Sequence, residues 1–403
     1  MKLRSHRARV WWIVGGMFVV LLLTAIVAWF LIFAQPKEAV SSQPQEVIKP
    51  EPKPVSMTSN SLFTGNSFWG RNINKWSMDS ELKTAYPFSR LNEFNREQYD
   101  AWVTGLECPT VAGFTQTVEQ EEATLSFNCP PEYLTEFAKW FNVVTLANNH
   151  TDNRGAEGFA ETRVHLDENK VQYFGHYDPY LAEDACEVIS FPFSVTYDDD
   201  VVKKEKLPVA MCGFHGVFKI PPQETLAEME KYSKVMPVIA MPHMGAEYTP
   251  APDQLKTQTY RSMIDHGADM VIGDHPHWVQ TTESYNGNLI VYSMGNFMFD
   301  QQGSTELTRS AAIRMVMSST EASSDALKDW LALGESCASF KDTCLQQAEK
   351  LKKLPINYSF GVIGTSDANK IVKPATPAEQ AAIEQRLQWS LTMSQLKAPY
   401  GSL

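Results

Sequence analysis

Four of the nine histidines share one setting. His150, His243, His275 and His277 each stand just past a short apolar run, in VVTLANNH, VIAMPHMG and MVIGDHPH. Asn148, Asn149, Glu247 and Asp274 lie beside them, and Asn66 (after Gly65), Glu107 and Asn296 occupy comparable positions elsewhere. Imidazole, amide oxygen and carboxylate together form a borderline ligand set that suits zinc or a divalent transition metal such as manganese or iron. If enough of these side chains converge, two metals are held, and hydrolytic chemistry follows. His275 and His277 are two residues apart, so an extended HPH turn aims both rings at neighbouring points. A lone histidine at a strand end ordinarily bonds only backbone. Three of these four stand beside an Asn, a Glu or a second His, which points to a shared site.

The elements that position them read as short strands alternating with helices. Glu132–Trp140 reads as an amphipathic helix, followed by a strand over Phe141–Leu146. Lys206–Gly213, Lys234–Met241, Asp269–Gly273 and Asn288–Ser293 read as further strands, and Gln254–His266 as a helix closed by Gly267. Short β-branched runs between helices predict an α/β core with buried strands. Open α/β sheets bind ligands just beyond the C-terminal ends of their strands, where the Asn and His residues cluster here. Beyond residue 316 the pattern changes. Ser318–Lys353 reads as a polar helical insert, Tyr358–Gly364 as a return to the sheet and Pro377–Met393 as a capped helix.

Five organisational segments follow. Residues 1–9 hold Lys2, Arg4, Arg7 and Arg9 and form a basic tail. Residues 10–34 carry no charge, and 25 residues at about 1.5 Å each span roughly 37 Å, more than a hydrocarbon core of about 30 Å. Trp11, Trp12 and Trp29 lie towards its ends, as interfacial aromatics do. The expectation is a single-pass anchor with a cytoplasmic N-terminus and an extracellular body; a cleaved signal peptide is the alternative. Residues 35–58 read as a Pro-rich tether, 59–316 as the main domain and 317–403 as an insert and helical extension of that domain. The chain's net charge of −12 becomes −16 once the four basic residues of the tail are set aside. So acidic a body excludes general nucleic-acid binding, which needs clustered Lys and Arg. Six cysteines fall in the exported part, and six allow 15 pairings. Pairing in chain order gives Cys108–Cys129, Cys186–Cys212 and Cys337–Cys344, the last closing a short loop. Buried free thiols at Cys186 and Cys212 are the alternative.

Five stretches carry a family resemblance: TGNSFWGR (64–71), TGLECP (104–109), VVTLANNHTDNRG (143–155), PHMGAEYTPAP (242–252) and MVIGDHPHWVQTTESYNGNLIVYSMGNFMFD (270–300). They resemble the CapA family of poly-γ-glutamate capsule biosynthesis proteins, which have a calcineurin-like metallophosphoesterase fold. The resemblance runs from about residue 60 to 316. It implies a β-sandwich flanked by helices, with Glu107, Asn149, His150, His243, His275 and His277 lining a pocket at one edge. By the same resemblance Asn149 gives a metal-binding amide oxygen, His150 protonates a leaving oxygen, Glu247 orients His243, and Arg71 holds a carboxylate or phosphate bidentately. Two departures stand out. Asn66 occupies the place of the family's Asp, removing one unit of charge from a metal site, and Asp274 stands where a His is frequent.

The resemblance implies a membrane-tethered accessory of anionic polymer synthesis or export, with poly-γ-glutamate or a comparable polymer as ligand and membrane synthase or export subunits as partners. The alternative is a metal-dependent hydrolase acting on a phosphoester or amide outside the membrane. A structural surface protein that kept the fold and lost the site is the third reading.

Overall fold

The computed structural model describes residues 51–319, 324–334, 336–397 and 400–402, together with Trp29. The basic tail, the apolar run at 10–34 (Trp29 apart) and the tether as far as residue 50 lie outside the described residues. Among the described residues no helix is long and apolar enough to cross a membrane. Pro52–Leu403 forms one unit, which the following describes.

The framework is a branched, mixed sheet. Its strands are β1 (Pro54–Ser67), β2 (Ala101–Leu106), β3 (Val143–Thr145), β4 (Gln172–Phe174), β5 (Cys186–Tyr197), β6 (Val202–Gly216), β7 (Val238–Met244), β8 (Met270–Ile272), β9 (Thr282–Tyr285), β10 (Asn288–Val291), β11 (Asn296–Met298), β12 (Arg309–Ser318), β13 (Asn357–Ser366), β14 (Lys373–Pro374) and β15 (Tyr400–Ser402). β1 is the shared strand. Its first residues pair antiparallel with β5, while its later residues lie between parallel β2 and antiparallel β12. Two blocks result, β4-β3-β2-β1-β12-β13-β14 and β5-β6-β7-β8-β10-β9.

Alternation along the strands builds two cores, because successive side chains point to opposite faces. Phe63, Val103, Val143 and Ile313 join the residues of β5–β8 in one apolar cluster. Their neighbours Leu62, Trp102, Val144 and Ala312 enter a second, aromatic-rich cluster with Trp69, Phe137 and Phe141. β1, β2 and β3 run parallel, as do β6, β7 and β8, so each block presents a row of C-terminal strand ends.

The three chain-order disulfides form: Cys108–Cys129, Cys186–Cys212 and Cys337–Cys344. The free-thiol alternative for Cys186 and Cys212 is therefore overturned; the two stand opposite each other in the β5–β6 ladder.

Several boundaries differ from expectation, and three of them have a clear physical cause. The main strand begins at Pro54, five residues inside the stretch read as tether, because Pro54–Thr58 pairs with β5. Pro54 costs that ladder little, since a first residue need not donate. The helix expected over Glu132–Trp140 shrinks to a 3-10 turn at Pro131–Tyr133 and one α-turn at Leu134–Phe137. Tyr133, Leu134, Phe137 and Phe141 all enter the aromatic core, and that packing replaces a longer amphipathic face. The helix expected over Pro377–Met393 breaks at Gln388, whose φ is +54°, giving Pro377–Leu387 and Trp389–Gln395. The freed carbonyl of Leu387 accepts from Thr282 Oγ1 at 2.8 Å, tying the break to β9.

Candidate functional site

The strand ends of both blocks bring the expected residues to one place. Asn66 closes β1, Glu107 follows β2, Asn148–His150 follow β3, His243 lies near the end of β7 and Asp274–His277 follow β8. An isolated bridge between His243 and Asp274 ties the last two loops together. β1 and β11 also meet here. A methyl group on Gly65 would lie 1.8 Å from the carbonyl oxygen of Gly295, so only glycine admits this approach.

His275 and His277 both adopt left-handed backbone, with φ of +99° and +60°. Non-glycine residues in this region carry strain, and such strain gathers at functional sites. The turn aims the rings as expected: their centroids are 6.0 Å apart. His277 Nδ1 lies 2.7 Å from Asn296 Oδ1, which orients that ring, and Tyr248 stacks on it at 5.7 Å with an interplanar angle of 19°.

The tightest group of donors is Asn149, His243 and His275. His243 Nε2 lies 2.9 Å from Asn149 Oδ1 and 3.1 Å from His275 Nδ1. Asn148 Nδ2 stands 3.1 Å from the same nitrogen, and Asn148 Oδ1 accepts from the His150 N–H at 2.8 Å. Burial pushes His243 and His275 well below the usual imidazole range, and neighbouring histidines push them further. Among the described residues no three His, Cys, Asp or Glu side chains form a ready metal-binding group. The amide of Asn149 completes what acidic residues do not. Metal–ligand bonds of about 2.1 Å at right angles put neighbouring donors roughly 3 Å apart. The spacing around His243 Nε2 matches, so this donor set fits one divalent cation, which when bound would act as a Lewis acid toward a coordinated oxygen.

A second group of polar atoms is buried without partners: Asn66 Oδ1 and Nδ2, Glu107 Oε2, and both carboxylate oxygens of Asp274. Burial raises the Glu107 carboxyl well above the usual range, and the Asp274 and Glu247 carboxylates add to the rise. Burial raises Asp274 likewise.

His150 is oriented by Asn153. The Phe127 N–H donates to Asn153 Oδ1 at 2.8 Å, which identifies that atom as oxygen. His150 Nδ1, 3.0 Å from the same oxygen, is therefore the N–H donor and Nε2 carries the lone pair. Burial pushes the ring down to about 4, so it is neutral near pH 7. In this state Nε2 is an acceptor, and the proton donation expected toward a leaving oxygen requires the ring to take up a proton first.

Two other residues sit differently from expectation. Glu247 is half-exposed and approaches His277 Nε2 at 3.9 Å, while His243 is held by Asn148 and Asn149. The reason is the turn at Gly245, which carries residue 247 across β8's loop. Arg71 is not open to a bidentate anion. Its Nη2 donates to Asp300 Oδ1 at 2.6 Å, and its guanidinium lies against Phe68, Phe127 and Phe299.

Three residues near the site escaped the sequence reading. Lys256 is fully buried, bonds Gln280 Oε1 at 3.1 Å and is pushed down to about 7 by burial, against the pull of Asp274 and Asp253. His215 is the β6 partner of His243 in the parallel ladder; its Nδ1 lies 2.6 Å from the Tyr177 carbonyl oxygen. Tyr248 covers His277 and accepts from Gln301 Nε2 at 3.0 Å.

A model of the family described as bacterial capsule synthesis protein PGA_cap matches residues 60–301. The chain belongs to this family. The matched span covers every site residue described above. Within the PGA_cap family, the chain is 30% identical over 268 residues to the PGA biosynthesis protein CapA of Bacillus subtilis, covering 62% of this chain and 66% of that protein. It is 24% identical over 310 residues to the capsule biosynthesis protein CapA of Bacillus anthracis, covering 73% of this chain and 71% of the relative. The chain thus spans just under two thirds of the length of the first relative. Among solved structures, a phosphatase from Mycoplasma pneumoniae aligns over 80% of this chain and 96% of its own, with a TM-score of 0.37 and 11% identity. TT1561 of Thermus thermophilus aligns over 63% and 93%, with a TM-score of 0.32 and 10% identity.

Proposed function

We propose that this chain is a membrane-anchored, extracellular component of capsule or poly-γ-glutamate biosynthesis or export, whose cleft holds the anionic polymer through one divalent cation. The observation that carries the reading is the approach of Asn149 Oδ1 and His275 Nδ1 to His243 Nε2 at 2.9 and 3.1 Å. Membership of the capsule synthesis family supports the pathway, and the two Bacillus relatives support the polymer. The uncharged run at 10–34 supports the anchor and the outward placement of the body, with membrane synthase or export subunits as partners.

Charge makes the cation part of the reading. A body at −16 repels a polycarboxylate over the roughly 8–10 Å that ordinary salt leaves unscreened. Arg71, the expected anion holder, is already paired with Asp300. A cation seated among Asn149, His243 and His275 would supply the local attraction, and Tyr248 would cover the ligand's flank.

A metal-dependent hydrolase is the second reading, favoured by the free Nε2 of His150 next to Asn149. There the chain's own part would be to accept a proton at His150 Nε2.

The test is made in the native cell. A deletion strain complemented with the wild-type chain should restore surface polymer, and complementation with His243→Ala/His275→Ala should not, at equal protein level in the membrane fraction. Full polymer from the double variant would remove the cleft from the process.

A further inference from the structure

A groove of about 840 Å³ lies outside the cleft. It is lined by the 3-10 turns Leu91–Phe94 and Arg96–Gln98, by β12 and β13, and by the helix Trp389–Gln395. The break at Gln388 brings Trp389 here, because the new helix starts at that residue. Arg314 lines the groove from β12 and stands opposite Leu62 in the β1–β12 ladder, four residues before Asn66. The groove therefore lies about 13 Å back along β1 from the cleft.

Its donors meet no acceptor. Arg314 Nε donates to Asn60 Oδ1 at 2.9 Å, and Asn60 Nδ2 donates in turn to the Gln98 carbonyl at 2.6 Å. That network fixes the guanidinium and leaves both terminal nitrogens without a partner among the described residues. No acid among the described residues pairs with Arg314, in a chain with 47 acidic side chains against 35 basic ones. Tyr99 Oη and Trp389 Nε1 also bond nothing among the described residues, although the two residues are only 8% and 9% exposed. The Tyr99 phenol lies in the field of Arg314.

The two acids lining the groove are already engaged. Glu93 accepts from Arg90 Nε and Nη2 at 2.6 and 2.9 Å and feels Lys373, while Glu384 accepts from Gln380 at 2.6 Å. Arg90, Lys373 and Arg314 against Glu93 and Glu384 leave 3 − 2 = +1 here, in a body at −16. A guanidinium with free terminal nitrogens matches the two oxygens of a carboxylate. Phe94, Tyr99, Trp389 and Met393 add apolar faces that suit aliphatic links between successive carboxylates.

We propose that this groove is a second subsite for the polymer, in which Arg314 takes a carboxylate and Tyr99 and Trp389 donate beside it. The inference rests on the polymer reading for the ligand's identity and uses none of the side chains of the cation seat. One guanidinium–carboxylate contact in an open groove is weak by itself. It counts for a chain already held in the cleft, because the second contact is then intramolecular.

Equilibrium binding of long poly-γ-glutamate and of a short oligomer to the purified full chain, with manganese present, tests it. Arg314→Gln should weaken the long polymer about tenfold or more and leave the short oligomer, held in the cleft alone, unchanged. Tyr99→Phe removes one donor and keeps the ring; it should weaken only the long polymer, by a few-fold, and keeps the inference testable if Arg314→Gln fails to fold. Equal affinity of wild type and both variants for the long polymer would overturn the inference and leave the cleft reading intact. Equal weakening of long and short chains would also overturn it, since Arg314 would then act through the cleft. Failure of wild type to bind either length would overturn the polymer reading, and this inference with it.

Discussion

His243 Nε2 and His275 Nδ1 lie 3.1 Å apart although 32 positions separate the residues in the chain. Two parallel strands, β7 and β8, deliver them, and the left-handed backbone of His275 turns its ring back toward β7. At this distance one neutral imidazole donates its N–H to the other's lone pair, and a cation seated between them would take both lone pairs instead.

The buried Arg71–Asp300 pair anchors the floor beside this cleft. Its side chains are 9% and 3% exposed, and Asp300 Oδ2 also accepts from Asn72 Nδ2 at 3.2 Å. Removing one partner of a buried pair leaves an uncompensated charge at a cost of about 3–5 kcal/mol. Asp300→Ala should lose that much in chemical denaturation. A loss below about 1 kcal/mol would show that Arg71 reaches water or another acid.

The Cys108–Cys129 disulfide closes the loop that begins directly after Glu107. Closing a loop of this length contributes about 3 kcal/mol by restricting the unfolded chain. Cys108→Ala/Cys129→Ala should lower the melting temperature and loosen Glu107, seen as faster amide exchange at residues 105–108. Unchanged exchange there would confine the disulfide to global stability.

Much of the site was legible because strand-end positions dictate it. The Asn-Asn-His, Pro-His and His-Pro-His elements fall just past apolar runs, and the fold can only place such residues along one edge. What was not legible depends on loops and on long-range register. Glu247 faces His277 because of the turn at Gly245, which residue types do not announce. Arg71 meets Asp300 from 229 positions away. Lys256 did leave a signal, since it shares the buried face of its helix with Thr259, Tyr260 and Met263, where a lysine is out of place. His215 left one too, standing at the end of an apolar strand like the other four. β5, which alternates only weakly in Cys186–Tyr197, gave none; its partner β6 defines it.

Tyr248 should act as a flank for the ligand. Its stacking on His277 is of a kind worth about 0.5–1.5 kcal/mol. Tyr248→Ala should weaken polymer binding up to roughly tenfold, and the lost stack should cost folding no more than about 1.5 kcal/mol because the residue is 44% exposed. Tyr248→Phe should retain most of the affinity. Equal loss in both variants would assign the effect to the Gln301 hydrogen bond.

Stability should depend on pH through Asp269, which lies away from the cleft. Burial raises its carboxyl above the ordinary range, although the Val238 N–H donates to it at 2.9 Å. The folded state therefore binds this proton more tightly than the unfolded state. The resulting stability is complete below the unfolded value of about 3.9 and is lost as pH rises through the folded value. Asp269→Asn keeps an acceptor for Val238 and has no proton to lose. Its melting temperature should gain on wild type as pH rises from about 4 to 7. Parallel curves would show that Asp269 ionises without cost.

The most direct measurement is equilibrium binding of a defined poly-γ-glutamate oligomer to the purified full chain, with manganese or zinc present and then removed by chelation. Binding that requires the cation and disappears in His243→Ala/His275→Ala is the predicted result. Equal binding by the chelated protein and by the double variant would contradict the account, because the polymer would then be held somewhere other than among Asn149, His243 and His275.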